Sequence, residues 1–199
     1  MASGDDKSDE RMRARILKET LRHIRRYGGQ RTRVVAVAQS LGMSHANIYR
    51  YFKTKDDLFD ELVRRWLREA DDVIASNDSA DLSPTAVARA FLTLNAFLIQ
   101  KLNTEPAAID VFRHAFEHQS NAVAEHVARM KVLVLSSMRS SDAWPKHATA
   151  DRELFLSMLS TTLEPYLNPL LIHARDHTDD TAQLSLLLQC VFGIKAPRL

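Results

Sequence analysis

Cysteine occurs once in the 199 residues, at Cys190, so neither an intramolecular disulfide framework nor a multi-cysteine zinc site is available. Glycine occurs five times and proline six, too rarely for a turn-rich all-β fold. No long apolar run is uninterrupted. The most apolar stretch, Leu154 to Ile172, contains Glu164, Pro165 and Pro169, which fits a core helix better than a membrane span. The first ten residues, MASGDDKSDE, are acidic and lack the apolar segment of a secretory signal. What remains is 45% hydrophobic and 26% charged, an ordinary globular composition. The expectation is a soluble, cytoplasmic, all-α protein of one or two domains.

The formal net charge of +2 conceals an asymmetry. Residues 11–55 hold twelve Lys or Arg against one acid, Glu19, whereas residues 56–199 carry a net −6. A block at +11 repels itself at low salt, and release of counterions from a nucleic acid is the commonest gain open to it.

Met12, Ile16, Leu17, Thr20, Leu21, Ile24 and Tyr27 recur at helical spacing, and Arg11, Arg15, Lys18, Arg22, Arg25 and Arg26 occupy the other face. Gly28-Gly29 stops that helix. Thr32 is placed to cap a second helix, with Val34, Val37, Ala38 and Leu41 as its buried stripe and Gly42 at its end. Ser44 caps a third, His45 to Phe52, that buries Ile48 and Phe52. Thr54 and Asp57 form a capping box for a fourth, running to about Ser76 and burying Leu58, Leu62, Trp66 and Val73. Further helices follow from Ser83-Pro84, from Glu105-Pro106, over 122–138, over Asp151 to Ile172 with a kink near its prolines, and from Thr178 to Ile194. Ser140 to Ala148 reads as a loop. The total is about nine helices and no strand.

A capped helix, a Gly-containing turn and a second short helix describe a helix-turn-helix, here at about 33–52. Such a unit works when its second helix is held rigidly enough to enter a major groove. His45, Ala46, Asn47 and Arg50 face outward on a helical wheel. Ala46 suits a thymine methyl, and Asn47 and Arg50 suit base edges. Tyr49, Tyr51, Lys53 and Lys55 are placed for phosphates, together with Arg31, Thr32 and Arg33 at the start of the preceding helix.

These residues resemble the TetR family of transcriptional regulators over about residues 11–60. The resemblance is carried by Thr32-Arg33-Val34, Val37-Ala38, Leu41-Gly42-Met43-Ser44 and, above all, Ile48-Tyr49-Arg50-Tyr51-Phe52 followed by Lys55 and Leu58. It implies a homodimer whose subunits each join a three-helix DNA-binding head to a larger helical body that binds a small effector and dimerises. Thr32, Ser44, Tyr49, Tyr51 and Lys55 match positions that contact the sugar-phosphate backbone, and His45, Ala46, Asn47 and Arg50 match groove-facing ones. The sequence departs from the family at Ile24, where Phe is usual, and at Arg33, where a second Thr is common. His45-Ala46-Asn47 replaces a frequent basic-Gly-Thr, so no operator sequence carries over. The expected division is a disordered arm over 1–10, the head over 11–56 and the body over 57–199. A ligand-released repressor on a pseudo-palindromic site is the implied function, with double-stranded DNA as partner and no cofactor.

Phe91, Asn95, Phe97, Leu98, Leu102, Phe112, His114, Phe116, His118 and Met130 are candidates to line an effector pocket, or simply to fill the core. Leu156, Leu159, Leu163, Leu187, Leu188 and Val191 are candidates for an intersubunit four-helix bundle, though burial inside one subunit gives the same pattern. His114/His118 and His173/His177 stand at i, i+4, with Glu117 or Asp176 nearby, a spacing that ligates zinc in a helical metal-dependent hydrolase. Neither pair forms His-Glu-x-x-His and no third ligand is evident, so no metal or catalytic residue is assigned. Cys190 reads as a buried, inert thiol. A helical adaptor that turns its basic head to an acidic protein is the third class.

Overall fold

The computed structural model describes residues 4–76, 81–175 and 179–195. Among them are eleven helices and no strand. Among the described residues no helix is long and apolar enough to cross a membrane. Packing divides the chain into two compact units, Met1–Trp66 with Glu105–Val123, and Leu67–Thr104 with Ala124–Leu199. The division falls inside the fourth helix and returns a later helix to the head, so it differs from the boundary at 56/57 drawn from sequence.

In the first unit α1 spans Gly4–Tyr27. Its helical start at Gly4 corrects the expectation of a disordered arm over residues 4–10. Ile16, Leu17, Thr20 and Ile24 are buried, whereas Tyr27, the last residue of the helix, stays 46% exposed. The Thr20 hydroxyl is satisfied by the Ile16 carbonyl at 2.8 Å. Arg11, Arg15, Lys18, Arg22, Arg25 and Arg26 are all exposed.

Gly28 then takes φ +81°, a left-handed turn that a side chain would strain. The Gly29 N–H donates to Asp110 Oδ2 at 2.9 Å. That anchors the turn on α6 (Ala108–Glu117). Next come α2 (Val34–Ser40) and α3 (His45–Ile48). In α4 (Lys55–Ser76), Thr54 and Asp57 form the expected reciprocal cap: Asp57 N–H to Thr54 Oγ1 at 3.0 Å and Thr54 N–H to Asp57 Oδ2 at 3.1 Å. Leu58, Leu62 and Trp66 are buried, and Trp66 packs 5.6 Å from the Phe112 ring. Val73, expected inside, is 44% exposed.

The second unit holds the rest of α4, α5 (Pro84–Thr104), most of α7 (Asn121–Ser140), α8 (Lys146–Ala150), α9 (Arg152–Leu167), α10 (Pro169–His173) and α11 (Asp180–Phe192). Its core joins Phe91 and Leu92 of α5 to Leu159 and Leu163 of α9 and Leu184, Leu188 and Phe192 of α11. Each such side chain, fully removed from water, contributes about 1.5–3 kcal/mol. Asn95 is fully buried and spends its polar ends across helices, on the Tyr166 carbonyl at 2.8 Å and the Thr181 hydroxyl at 3.4 Å.

Two segments differ from expectation. The stretch Asp151 to Ile172 is two helices, not one kinked helix. Asn168 breaks it with ψ 112° and caps α10 by accepting from the Leu170 N–H at 3.0 Å, as the residue before a proline is driven out of helical geometry. The loop around Trp144 contains the short helix α8. Trp144 itself is 5% exposed and donates its indole N–H to Ser137 Oγ at 2.8 Å.

Candidate nucleic-acid interface

The helix-turn-helix is built on a small core of Val34, Val37, Ala38, Ile48 and Phe52, each at most 7% exposed. Gly42 makes the turn at φ +67°, and the Met43 N–H reaches back to the Ala38 carbonyl at 2.9 Å, closing the C-terminus of α2. Ser44 caps α3 by accepting the Asn47 N–H at 3.2 Å. Helical bonding continues past Ile48 in a tightened form, Arg50 N–H to Asn47 O at 3.2 Å and Tyr51 N–H to Ile48 O at 3.0 Å. The rod is therefore shorter than the expected His45 to Phe52 but coiled throughout.

With Ile48 and Phe52 turned inward, His45, Ala46, Tyr49 and Arg50 are exposed and Asn47 is half-buried. The His45 and Tyr49 rings meet edge to face at 4.7 Å, giving the outer surface a fixed aromatic ridge. Arg31, Arg33, Ser44 and Lys53 are exposed around it. Arg13 braces the far end: its guanidinium donates to the Tyr51 carbonyl at 2.8 Å and lies 4.5 Å from the Phe52 ring centroid.

Three residues expected at phosphates are engaged within the protein. Thr32 is 4% exposed and donates to the Gly28 carbonyl at 2.9 Å, while Arg33 occupies the N-cap of α2 without a side-chain bond. The Tyr51 hydroxyl donates to Asp9 Oδ1 at 3.3 Å. The Lys55 ammonium is held by the carbonyls of Gly29 and Gln30, and burial lowers its pKa from the ordinary lysine value, against the raising pull of Asp56.

The effector candidates do not share one unit. Phe91, Asn95, Phe97, Leu98, Leu102 and Met130 belong to the second; Phe112, His114, Phe116 and His118 belong to the first. Phe91, Asn95, Leu98 and Phe112 are core residues, at most 4% exposed. Among the interface candidates, Leu159, Leu163 and Leu188 are buried in the core of the second unit, and Leu156, Leu187 and Val191 pack partly against it. The apolar side chains left exposed on α9 and α11 are Leu154, Met158 and Leu186. Cys190 is exposed beside them, not buried.

His114 and His118 do come together, with their rings stacked 3.9 Å apart. Their acidic neighbour is Asp56, from the first turn of α4, with Oδ1 2.7 Å from His114 Nε2. Sequence reasoning looked to the adjacent Glu117 and missed Asp56, which lies 58 positions away. Burial lowers the pKa of His114 from the ordinary imidazole value, partly offset by the hydrogen bond with Asp56. The second pair cannot be placed, because His177 and Asp176 lie outside the described residues.

Residues 16–62 match the family described as bacterial regulatory proteins, tetR family. No curated protein matches the chain. Among solved structures, GusR of Salmonella enterica is similar at 15% identity and a TM-score of 0.53, over 92% of this chain and 95% of that one. The likeness to GusR carries the all-α fold; the family match is confined to the head, whose residues hold the helix-turn-helix described above. On these grounds residues 16–62 are similar to bacterial regulatory proteins of the tetR family, within a chain whose described residues are all-α.

Proposed function

We propose that the protein is a homodimeric repressor released from a pseudo-palindromic operator by a small molecule. The observation that carries the reading is the two-sidedness of α3. Its inner face is locked by Ile48 and Phe52, and its outer face presents His45, Ala46, Asn47 and Arg50. A helix fixed in this way inserts as a preset rod. Asn47 has the amide geometry for adenine and Arg50 the fork for guanine O6 and N7. Arg31, Arg33, Tyr49 and Lys53 take flanking phosphates and set the register without reading sequence. Tyr51, Thr32 and Lys55 support the head from within.

Two heads on one dimer reach successive major grooves about 34–36 Å apart. The dimer face we assign is the exposed apolar strip of α9 and α11, with Leu154, Met158 and Leu186 at its centre. Two copies of such a strip are self-complementary and close an isologous interface.

An apolar or amphipathic effector acts through the helical body. Phe97, Leu102 and Met130 keep partly exposed side chains in the second unit and are the residues placed to meet it. Because α4 is continuous from the head into the second unit, a ligand that favours one arrangement of the body changes the spacing of the heads. Coupling of about 1–3 kcal/mol lowers operator affinity 5- to 150-fold.

Selection of bound duplexes from a random pool by the full chain tests this reading, followed by challenge of the selected complex with candidate metabolites. Enrichment of an inverted repeat, and its release by one ligand class, is the expected result. Recovery of unrelated sequences only, with no half-site, contradicts it.

A further inference from the structure

We propose that Asp56, His114 and His118 form a binding site for a divalent transition-metal ion of the zinc class. Three ligand atoms, one from each side chain, lie within 4.8 Å of one another. Two imidazoles and a carboxylate are the donor set that zinc accepts, with water in the remaining position.

The orientation of His118 is the second observation. Its Nδ1 stands 2.9 Å from the backbone carbonyl of His114. A carbonyl only accepts, so Nδ1 carries the proton in the neutral ring and Nε2 is left with a free lone pair. Metal-bound histidines are fixed by this same arrangement, in which the outer nitrogen donates to a carbonyl or carboxylate. His114 packs on the Phe59 ring, 4.2 Å between centroids, and lies within 22° of parallel to the stacked His118 ring, so the exposed His118 must tilt for both lone pairs to meet one ion. Asp56 is exposed, and an ion would replace its 2.7 Å bond to His114 Nε2. Ligand atoms around tetrahedral zinc stand roughly 3.3 Å apart, which follows from bonds of about 2.0–2.1 Å, so the widest pair contracts by about 1.5 Å at most and the His114–Asp56 pair, now at 2.7 Å, opens by about 0.6 Å. Rotamer changes of the two exposed members, Asp56 and His118, supply both adjustments.

The three residues border a cleft of about 110 Å³. That volume admits an ion with its waters. Asp57 and Asp60 also line it and give it a negative wall. The Asp60 carboxylate is committed to Ser120, to the Ala122 N–H at 3.0 Å and to Arg64 at 2.9 Å, so it contributes field rather than a ligand. An ion here joins the first turn of α4 to the C-terminal half of α6.

The full chain, stripped of metal by a chelator and dialysed, is titrated calorimetrically with Zn²⁺, and its unfolding is followed with and without the ion. One Zn²⁺ per site is expected, with a rise in melting temperature because only the folded chain gathers the ligands. Loss of an outer-shell partner alone costs 10- to 100-fold in metal affinity, so His118→Ala, which removes a ligand, is expected to weaken binding by about 100-fold or more. Asp56→Asn is expected to weaken it as well. His147→Ala, at an exposed histidine of the second unit, leaves the affinity unchanged. Both His118 and Asp56 are exposed, so circular dichroism of these variants is expected to match the parent. Absence of binding by the parent, or binding of equal strength in His118→Ala, overturns the assignment. Neither readout involves DNA, so the site and the operator reading stand or fall separately.

Discussion

The Lys55 ammonium lies 2.8 Å from the carbonyl oxygen of Gly29. A second carbonyl, that of Gln30, is 3.3 Å away, and the Phe59 ring centroid is 5.2 Å away. One cation thus ties the start of α4 to the turn between α1 and α2, the turn that Asp110 holds from α6. The residue acts as an internal strut. Replacing it with Met removes the bonds and keeps the stem. The expected cost, discounted for partial exposure, is about 1 kcal/mol in chemical denaturation. The slope of log affinity against log salt on duplex DNA stays as in the parent. A slope shallower by about two, one for each head of the dimer, with stability intact is the opposite outcome, and places the ammonium on a phosphate.

Asn47→Ala and Arg50→Ala are each expected to reduce discrimination between the selected site and random duplex by about 1–3 kcal/mol. Competition binding at one fixed salt concentration measures it. If both duplexes lose affinity equally, these side chains do not read base edges.

Asp60 gives the head an acid-sensitive joint. Burial pushes its carboxyl up, but the Ala122 N–H, the Ser120 hydroxyl and the Arg64 guanidinium together bring it below the ordinary aspartate value. A carboxyl lower in the folded than in the unfolded chain contributes stability above the unfolded pKa, and that contribution disappears as pH falls through the folded one. The window therefore opens near pH 4 and extends downward. Asp60→Asn is expected to be less stable than the parent at neutral pH and to lose less on acidification through that window. Parallel stability curves for the two proteins exclude this role.

Met158→Asp and Leu186→Asp separate the outer strip from the core beneath it. Both side chains are at least 60% exposed, so either variant is expected to fold and to sediment as a monomer. Leu188, fully buried on the adjacent face of α11, is expected to unfold the second unit when changed to Asp, since an unpaired carboxylate enters the core. A folded dimer in the Met158 and Leu186 variants contradicts the assigned face.

The head was readable in the sequence because its signals are local. The Thr54/Asp57 cap, the Ser44 cap, the Gly42 turn and the Ile48/Phe52 spacing each act within a few residues. The readings that changed depend on partners far along the chain. Thr32 looked like a cap, but its hydroxyl is drawn to Gly28 when the turn folds back. Leu159, Leu163 and Leu188 carry the same periodicity whether they face a second copy or Phe91 and Phe192, and only packing tells the two apart. Cys190 sits in an apolar run, yet its position on α11 turns it outward. Asn168 gave a usable signal, as the residue before Pro169. Asp56 gave none, because no sequence spacing relates it to His114.

The most direct measurement is the affinity of the full chain for its selected duplex across a series of salt concentrations. With Arg31, Arg33, Tyr49 and Lys53 grouped around an outward-facing α3 on each of two heads, log affinity is expected to fall steeply and linearly with log salt. Arg31, Arg33 and Lys53 on each of two heads neutralise six phosphates per dimer, which gives a slope of roughly −5.4. A nearly flat line means that the basic head does not sit on a phosphate backbone, and the central claim is then wrong.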